Sequence, residues 1–319
     1  MSRMNVSSVR DYMKSLDDEL LHLLDLKHNG MGSPRIQDYI ITAESLSTTS
    51  ADLLKTEYGF HARENQDVLS LIWGGEYADK FRGTKTNLLF ARSFWSAAKQ
   101  NELRIARVFQ EWHVFPKIFA ACGPLYIAEY IPSLKSIDTI FAFLSTEFPS
   151  WKQRATLAKE ILNFVQKTDS MELPLQLCDI KSPHFGFTPA NAVRFIDADA
   201  VITDDALGHS MSMRQCLKHE DCSIFDCEGW CNENTGRCAA VRTNNNLQTV
   251  CAKVFRGSII STFGGLLSSP PQKVAEKLPM LINQCADDIT GSRGDISLRH
   301  PTQETLVTLQ QYLIESLGS

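Results

Sequence analysis

The chain contains no uninterrupted apolar stretch approaching the ~18 residues that a membrane-spanning helix needs. It also lacks a basic block: 32 Lys and Arg stand against 37 Asp and Glu, a formal net charge of −5. Nucleic acid demands a concentrated positive face and is therefore not an expected partner. No internal repeat is visible. The stretch MSRMNVSSVRDYMKSLDDELLHLLDL has no apolar core ahead of its charges, so it does not read as a secretory signal peptide. What remains is ordinary for a globular protein: 43% hydrophobic and 22% charged residues over 319 positions, enough for one large domain or two smaller ones.

Cysteine is where the chain departs from the ordinary. Of its nine cysteines, six crowd into residues 216–251: Cys216, Cys222, Cys227, Cys231, Cys238 and Cys251. The gaps between them are 5, 4, 3, 6 and 12 residues. Zinc sites usually draw their ligands from two short C-x2-4-C pairs. An even number at irregular gaps suits three disulfides better, with a metal site or reduced thiols as alternatives. Disulfides place the chain in an oxidising compartment. Cys122, Cys178 and Cys285 lie outside the cluster, and three cysteines allow at most one pair among themselves. Cys178, in an apolar run, reads as a small buried hydrophobe.

Apolar spacing predicts an N-terminal amphipathic helix over residues 1–27, and Gly30, Gly32 and Pro34 end it. The short run at 68–73 (VLSLIW) reads as a strand. Gly74 and Gly75 follow it as a turn whose backbone N–H groups could hold phosphate. One helix is expected over 93–112, with Glu102 near its buried boundary. Strands are expected over 114–120 and 125–131 around the turn 121–124. Helices follow over 137–144, 151–166, 272–285 and 301–317.

The stretch 177–199, LCDIKSPHFGFTPANAVRFIDAD, carries the chemistry. Asp179 and Asp197 each end a short apolar run, and strand, loop, strand, turn, strand would bring the two carboxylates together. One could take a proton from a hydroxyl while the other holds a divalent metal on phosphate oxygens. The bland alternative is that both aspartates merely cap turns.

The order of long helix, strand, D-x-x-x-x-N-like loop, hairpin and strand ending in Asp resembles a protein-kinase C-lobe. Asp179 falls at the catalytic-loop Asp, with Leu177-Cys178 where His-Arg would stand, and Asp197 at the Asp of D-F-G, with Ala198-Asp199 for Phe-Gly. FPKIFAACGPLYIAEYI fits the strands entering a kinase hinge around Glu129, and Glu102 fits the αC glutamate. Four features narrow the resemblance to the divergent protein kinase domain, or Fam69-type, family: ACGPLYIAEY, LCDIKSPHFGF with FIDAD, the cysteine cluster, and FRGSIISTFGGLLSSPP. The resemblance covers residues 90–319. It implies an α+β, bilobal kinase-like fold with a divergent or incomplete N-lobe and a disulfide-rich insert in the C-lobe. The division would be an extension over 1–67, an N-lobe over 68–131 and a C-lobe over 132–319, with the insert at 216–251.

The resemblance further implies a secretory-pathway residence, in endoplasmic reticulum, Golgi or outside the cell, often with a membrane tether. ATP with Mg²⁺ or Mn²⁺ would be the cofactors, and a protein or glycan hydroxyl the acceptor. Asp179 would be the base, Asp197 and Asp199 metal ligands, and Glu102 the partner of Lys85, with Arg92 as the alternative cation. Gly74, Gly75, Glu129 and His184 would line the cofactor site. No full G-x-G-x-x-G is present. His184 stands where a metal-binding Asn is expected, and imidazole favours softer metals than Mg²⁺. Two functions follow: an active atypical kinase, or a pseudokinase that binds partners in the secretory pathway. A disulfide-bearing receptor-like module is a third, which leaves the helix–loop–strand order unexplained.

Overall fold

The computed structural model describes residues 52, 54–55, 68–74, 88–134, 149–256, 265–286 and 303–317. The chain divides into two compact units, residues 1–111 with 117–129 and residues 112–116 with 130–319. The expected helices over 1–27 and 137–144 lie outside the described residues.

In the first unit, residues 68–73 form helix α1 (Val68–Trp73), not a strand. Its buried side chains are Val68, Leu69, Ile72 and Trp73, one face of a 3.6-residue repeat rather than an alternation. Five apolar residues in a run of six fit either period until a neighbour decides, and here Trp73 meets Phe94 edge-on at 5.7 Å. Gly74 ends the helix with φ +99 and donates its N–H to the Ser70 carbonyl. It is a left-handed helix stop, which glycine takes without a Cβ penalty.

The expected single helix over 93–112 is broken in two, α2 (Leu88–Ala98) and α3 (Asn101–Val108). Phe94 and Leu103 are both fully buried. Nine residues apart on one continuous helix, they would point about 180° away from each other. The break at Lys99-Gln100 lets both reach the core. Strands β1 (Ile118–Cys122) and β2 (Leu125–Ala128) then form an antiparallel hairpin with Cys122 opposite Leu125. Its two-residue turn is Gly123-Pro124, with Gly123 at φ +56 and its N–H on the Ser93 hydroxyl at 2.8 Å. A positive φ at the first turn position matches the mirror-image turns that hairpins favour. Pro116 offers no N–H to a ladder, and β1 starts after it.

In the second unit, helix α4 (Trp151–Asp169) opens on a capping box between Ser150 and Gln153. Its face of Ala155, Ala158, Ile161, Leu162 and Val165 is buried. Phe164 on the same helix meets Phe185 and Phe195 at 6.0 and 6.2 Å. Those two rings sit on β4 (Phe185–Phe187) and β5 (Val193–Phe195), whose antiparallel register places them opposite each other. β3 (Leu175–Leu177) pairs antiparallel with β6 (Val201–Thr203), Leu177 opposite Val201. Helix α5 (Asp204–Ser212) follows at once.

The insert is built on a hairpin of β7 (Gly229–Asn232) and β8 (Arg237–Arg242). Four disulfides brace the unit: Cys178–Cys227, Cys216–Cys231, Cys222–Cys238 and Cys251–Cys285. The cluster therefore does not close on itself as three pairs. Two of its members reach out, to Cys178 and to Cys285, and Cys178 is half of a bridge rather than a free buried thiol. The fold, not the spacing, brings these sulfurs together: β3 ends beside the insert, 49 residues away in the chain. Cys122 remains a thiol on β1. After the hairpin come α6 (Asn246–Val250), continued by a π-turn over Cys251–Phe255, then α7 (Lys277–Ala286) and α8 (Gln303–Leu317). Among the described residues no helix is long and apolar enough to cross a membrane.

Candidate active site

Asp179 lies two residues past the end of β3, and Asp197 two residues past the end of β5. The residue between them in space is His184. It ends a short 3-10 turn, Ser182–His184, and is buried beside the Phe195 ring. Its Nδ1 is 2.9 Å from the Asp179 carbonyl oxygen, and its Nε2 is 3.2 Å from Asp197 Oδ2. The His184 carbonyl accepts the Ile196 N–H at 2.8 Å, so the two segments are joined through backbone as well.

A carbonyl can only accept, so the Asp179 contact places the hydrogen of the neutral ring on Nδ1. The Nε2 lone pair then faces a carboxylate oxygen, and two acceptors at that distance need a cation or a proton between them. Metal-ligating histidines are held in this way, with the far ring N–H on a backbone carbonyl. Asp199 adds a third carboxyl nearby. It is held above the ordinary carboxylate range by desolvation first, then by the charge of Asp197, a hydrogen bond with Asp197 and the charge of Asp179. Since Asp199 is exposed at the surface, the charge of its neighbours is the part a bound cation would reverse.

One cation is already present. Lys181 Nζ lies 2.7 Å from Asp179 Oδ2, and the hydrogen bond with Asp179 raises the Lys181 pKa. Asp197 thus has His184 on one side and Asp199 on the other, with Lys181 and Asp179 adjoining; it is the carboxylate through which a divalent metal would be held, and the three side chains do not close into a single three-ligand cluster. Among the described residues, the side chains that do gather as three close ligand-type atoms are Cys216, Cys222 and Cys231, and all three sulfurs are spent in disulfides.

The remaining expected site residues lie in the first unit. Glu102 is in the first turn of α3, and its Oε2 accepts a hydrogen bond from the Tyr126 hydroxyl on β2. Glu129 closes the base of the hairpin. Its N–H donates to the Lys117 carbonyl at 2.8 Å and its Oε2 accepts the Lys117 N–H at 3.2 Å. Gly74 caps α1, so the strand–glycine turn expected there is replaced by a helix end. Arg92 sits on α2 rather than at a strand end. Lys85 and Gly75 lie outside the described residues.

Sequence reasoning missed the residues that hold the Asp179 segment in place. Asp226 Oδ2 accepts the Ile180 N–H at 2.7 Å, and the Asp226 N–H donates to the Cys178 carbonyl at 2.7 Å. Its other oxygen pairs with Lys253 Nζ. Asn246, 1% exposed, accepts the Leu177 N–H at 2.9 Å and donates to the Leu175 carbonyl and to Asp169 at 2.7 and 2.9 Å. Arg242 is fully enclosed among Gln176, Asn244, Asn246 and Thr249, and burial brings its pKa down to about 10. Asp169 is pushed up to about 6 by burial, against its bond from Asn246 and the charge of Arg242. These residues are scattered over residues 169–253, and only tertiary contact shows that they serve one loop.

A family model described as the protein-kinase domain of FAM69 matches residues 94–288. That is more than half of the chain, and it includes Glu102, Asp179, His184, Asp197, Asp199 and the whole cysteine-rich insert.

Proposed function

The chain belongs to the family of the FAM69 protein-kinase domain and is a kinase-like protein of divergent type; we propose that it transfers the γ-phosphate of ATP to a hydroxyl of a protein or glycan in the secretory pathway. The observation that carries this reading is His184, whose two ring nitrogens tie the Asp179 carbonyl to the Asp197 carboxylate. A base and a metal ligand in fixed relation are what a phosphoryl transfer requires of its protein, since most of its catalysis is positioning and charge stabilisation.

In this reading Asp179 accepts the proton of the acceptor hydroxyl as its oxygen attacks phosphorus, and passes it to solvent afterwards. Asp197 and His184, with Asp199 beside them, would hold Mg²⁺ or Mn²⁺. When bound, the metal neutralises phosphate charge. Lys181, exposed and next to Asp179, offers a further positive charge where charge develops. The imidazole ligand favours Mn²⁺ over Mg²⁺, whose ligands are normally oxygens. Four disulfides suit an oxidising compartment, which supports the secretory assignment.

A second reading is a pseudokinase that binds a partner. It is favoured by Glu102, whose carboxylate is engaged by the Tyr126 hydroxyl within its own unit. Thermal shift separates the two. ATP with Mn²⁺ or Mg²⁺ at about a hundred times its Kd should stabilise the fold by about 2.7 kcal/mol, and Asp197→Ala should abolish the shift. A wild-type protein indifferent to ATP with every divalent metal would leave only the binding reading.

A further inference from the structure

The cysteine-rich insert is joined to the Asp179 segment by three independent links. The Cys178–Cys227 bridge holds two Cα atoms at 4.9 Å on the residue just before Asp179. The Asp226 N–H donates to the Cys178 carbonyl, and Asp226 Oδ2 accepts the Ile180 N–H, each at 2.7 Å. Asp179 is therefore bracketed on both sides by a single insert residue.

Asp226 is itself fixed. It lies in the tight turn of Ile224 to Cys227, whose end residues exchange both backbone hydrogen bonds at 2.9 Å. Its carbonyl accepts from Asn244 Nδ2 at 2.7 Å, and its second carboxylate oxygen pairs with Lys253. Phe225, before it, is 75% exposed with φ +49. A bulky residue adopts a left-handed backbone only against steric strain. The surrounding bridge and hydrogen bonds hold the turn in that shape and aim Asp226 at the loop.

We propose that Asp226 is the positioning residue for Asp179, and that the insert is part of the catalytic loop's framework rather than a separate binding knob. This rests on the reading of Asp179 as the base. Asp226 touches no reacting atom; it fixes the backbone from which Asp179 projects and whose carbonyl orients His184.

The test compares the wild type with Asp226→Ala, which removes the acceptor, Asp226→Asn, which keeps an oxygen for Ile180, and Asp226→Glu, which keeps the charge for Lys253 but displaces the oxygens by one methylene. Amide exchange is read over residues 178–182, nucleotide binding by the ATP–Mn²⁺ thermal shift, and turnover as ADP formed from ATP, with water as the acceptor hydroxyl. Asp226→Ala and Asp226→Glu should speed exchange in that segment by about tenfold or more and lower kcat by about tenfold to a hundredfold, with KM for ATP unchanged. Asp226→Asn should restore most of both. Wild-type exchange and kcat in the Glu variant would overturn the proposal, as would losses that Asn does not rescue. If the wild type binds no ATP, the phosphotransferase reading fails and exchange alone decides: opening by Ala or Glu that Asn reverses upholds the clamp, and no change overturns it.

Discussion

The Asp226 carboxylate and the Ile180 N–H meet at 2.7 Å although 46 residues separate them. The same two segments are locked by the Cys178–Cys227 disulfide. In a chain-entropy view, a bridge closing a 49-residue loop restricts the unfolded state by roughly 4 kcal/mol, against roughly 3 kcal/mol for the 15-residue loop of Cys216–Cys231. Paired Cys→Ala replacement at 178 and 227 should therefore cost more stability in a denaturant titration than the same replacement at 216 and 231. Equal losses would show that the unfolded chain already holds the two segments together.

The pH dependence of stability should carry the mark of Asp169. Its folded pKa of about 6 lies above the unfolded value of about 3.9, so the folded state binds the extra proton between those values. Stability is then lost as pH rises from about 4 through 6 and is flat above, with solvent screening at the exposed Asp169 keeping the loss modest. Asp169→Asn keeps an oxygen to accept from Asn246 and removes the ionisation. The wild type should lose stability relative to this variant across that window, measured by urea unfolding at a series of pH values. A constant difference would mean that Arg242 compensates the charge in full.

Gly186 on β4 marks how closely the backbone is packed beside the site. A Cβ there would lie 2.8 Å from Ile131 Cγ2 and 2.9 Å from Ile196 Cγ2, with the Pro132 carbonyl at 3.3 Å. Gly186→Ala should cost roughly 1–3 kcal/mol by overpacking. Since Ile196 adjoins Asp197 and bonds the His184 carbonyl, the strain should also weaken the ATP–metal thermal shift. An alanine variant with wild-type stability and wild-type nucleotide response would show that the Ile131 and Ile196 side chains yield freely.

What could be read from the sequence was local. Asp179, His184 and Asp197 fall within 19 residues, and a strand–turn–strand reading suffices to set them near one another. The order of elements around them was enough to suggest the family that the matched region bears out. What escaped was decided by distant contact. VLSLIW satisfies a strand and a helix equally until Phe94 meets Trp73. The break after Ala98 follows from burying Leu103 and Phe94 together. Counting cysteines suggested a closed cluster, because spacing carries no trace of β3 ending beside the insert. Asp226, Asn246 and Arg242 look like ordinary polar residues until their hydrogen bonds are seen.

The metal preference tests the geometry of the site most directly. His184 presents Nε2 to Asp197 with Nδ1 held on the Asp179 carbonyl, so the ring is oriented before any ion arrives. Nitrogen ligation rewards Mn²⁺ and later transition metals over Mg²⁺, which prefers oxygen and gives up its waters reluctantly. His184→Asn removes that nitrogen and leaves an amide oxygen on a shorter side chain. The wild type should show a larger ATP-dependent thermal shift with Mn²⁺ than with Mg²⁺, and the variant should narrow the gap by about tenfold or more in apparent affinity. Mn²⁺ bound with ATP should also show ¹⁴N coupling in its electron spin-echo signal, and the variant should lose it. A signal that survives in His184→Asn would place the metal elsewhere and leave His184 as a link between two backbone segments.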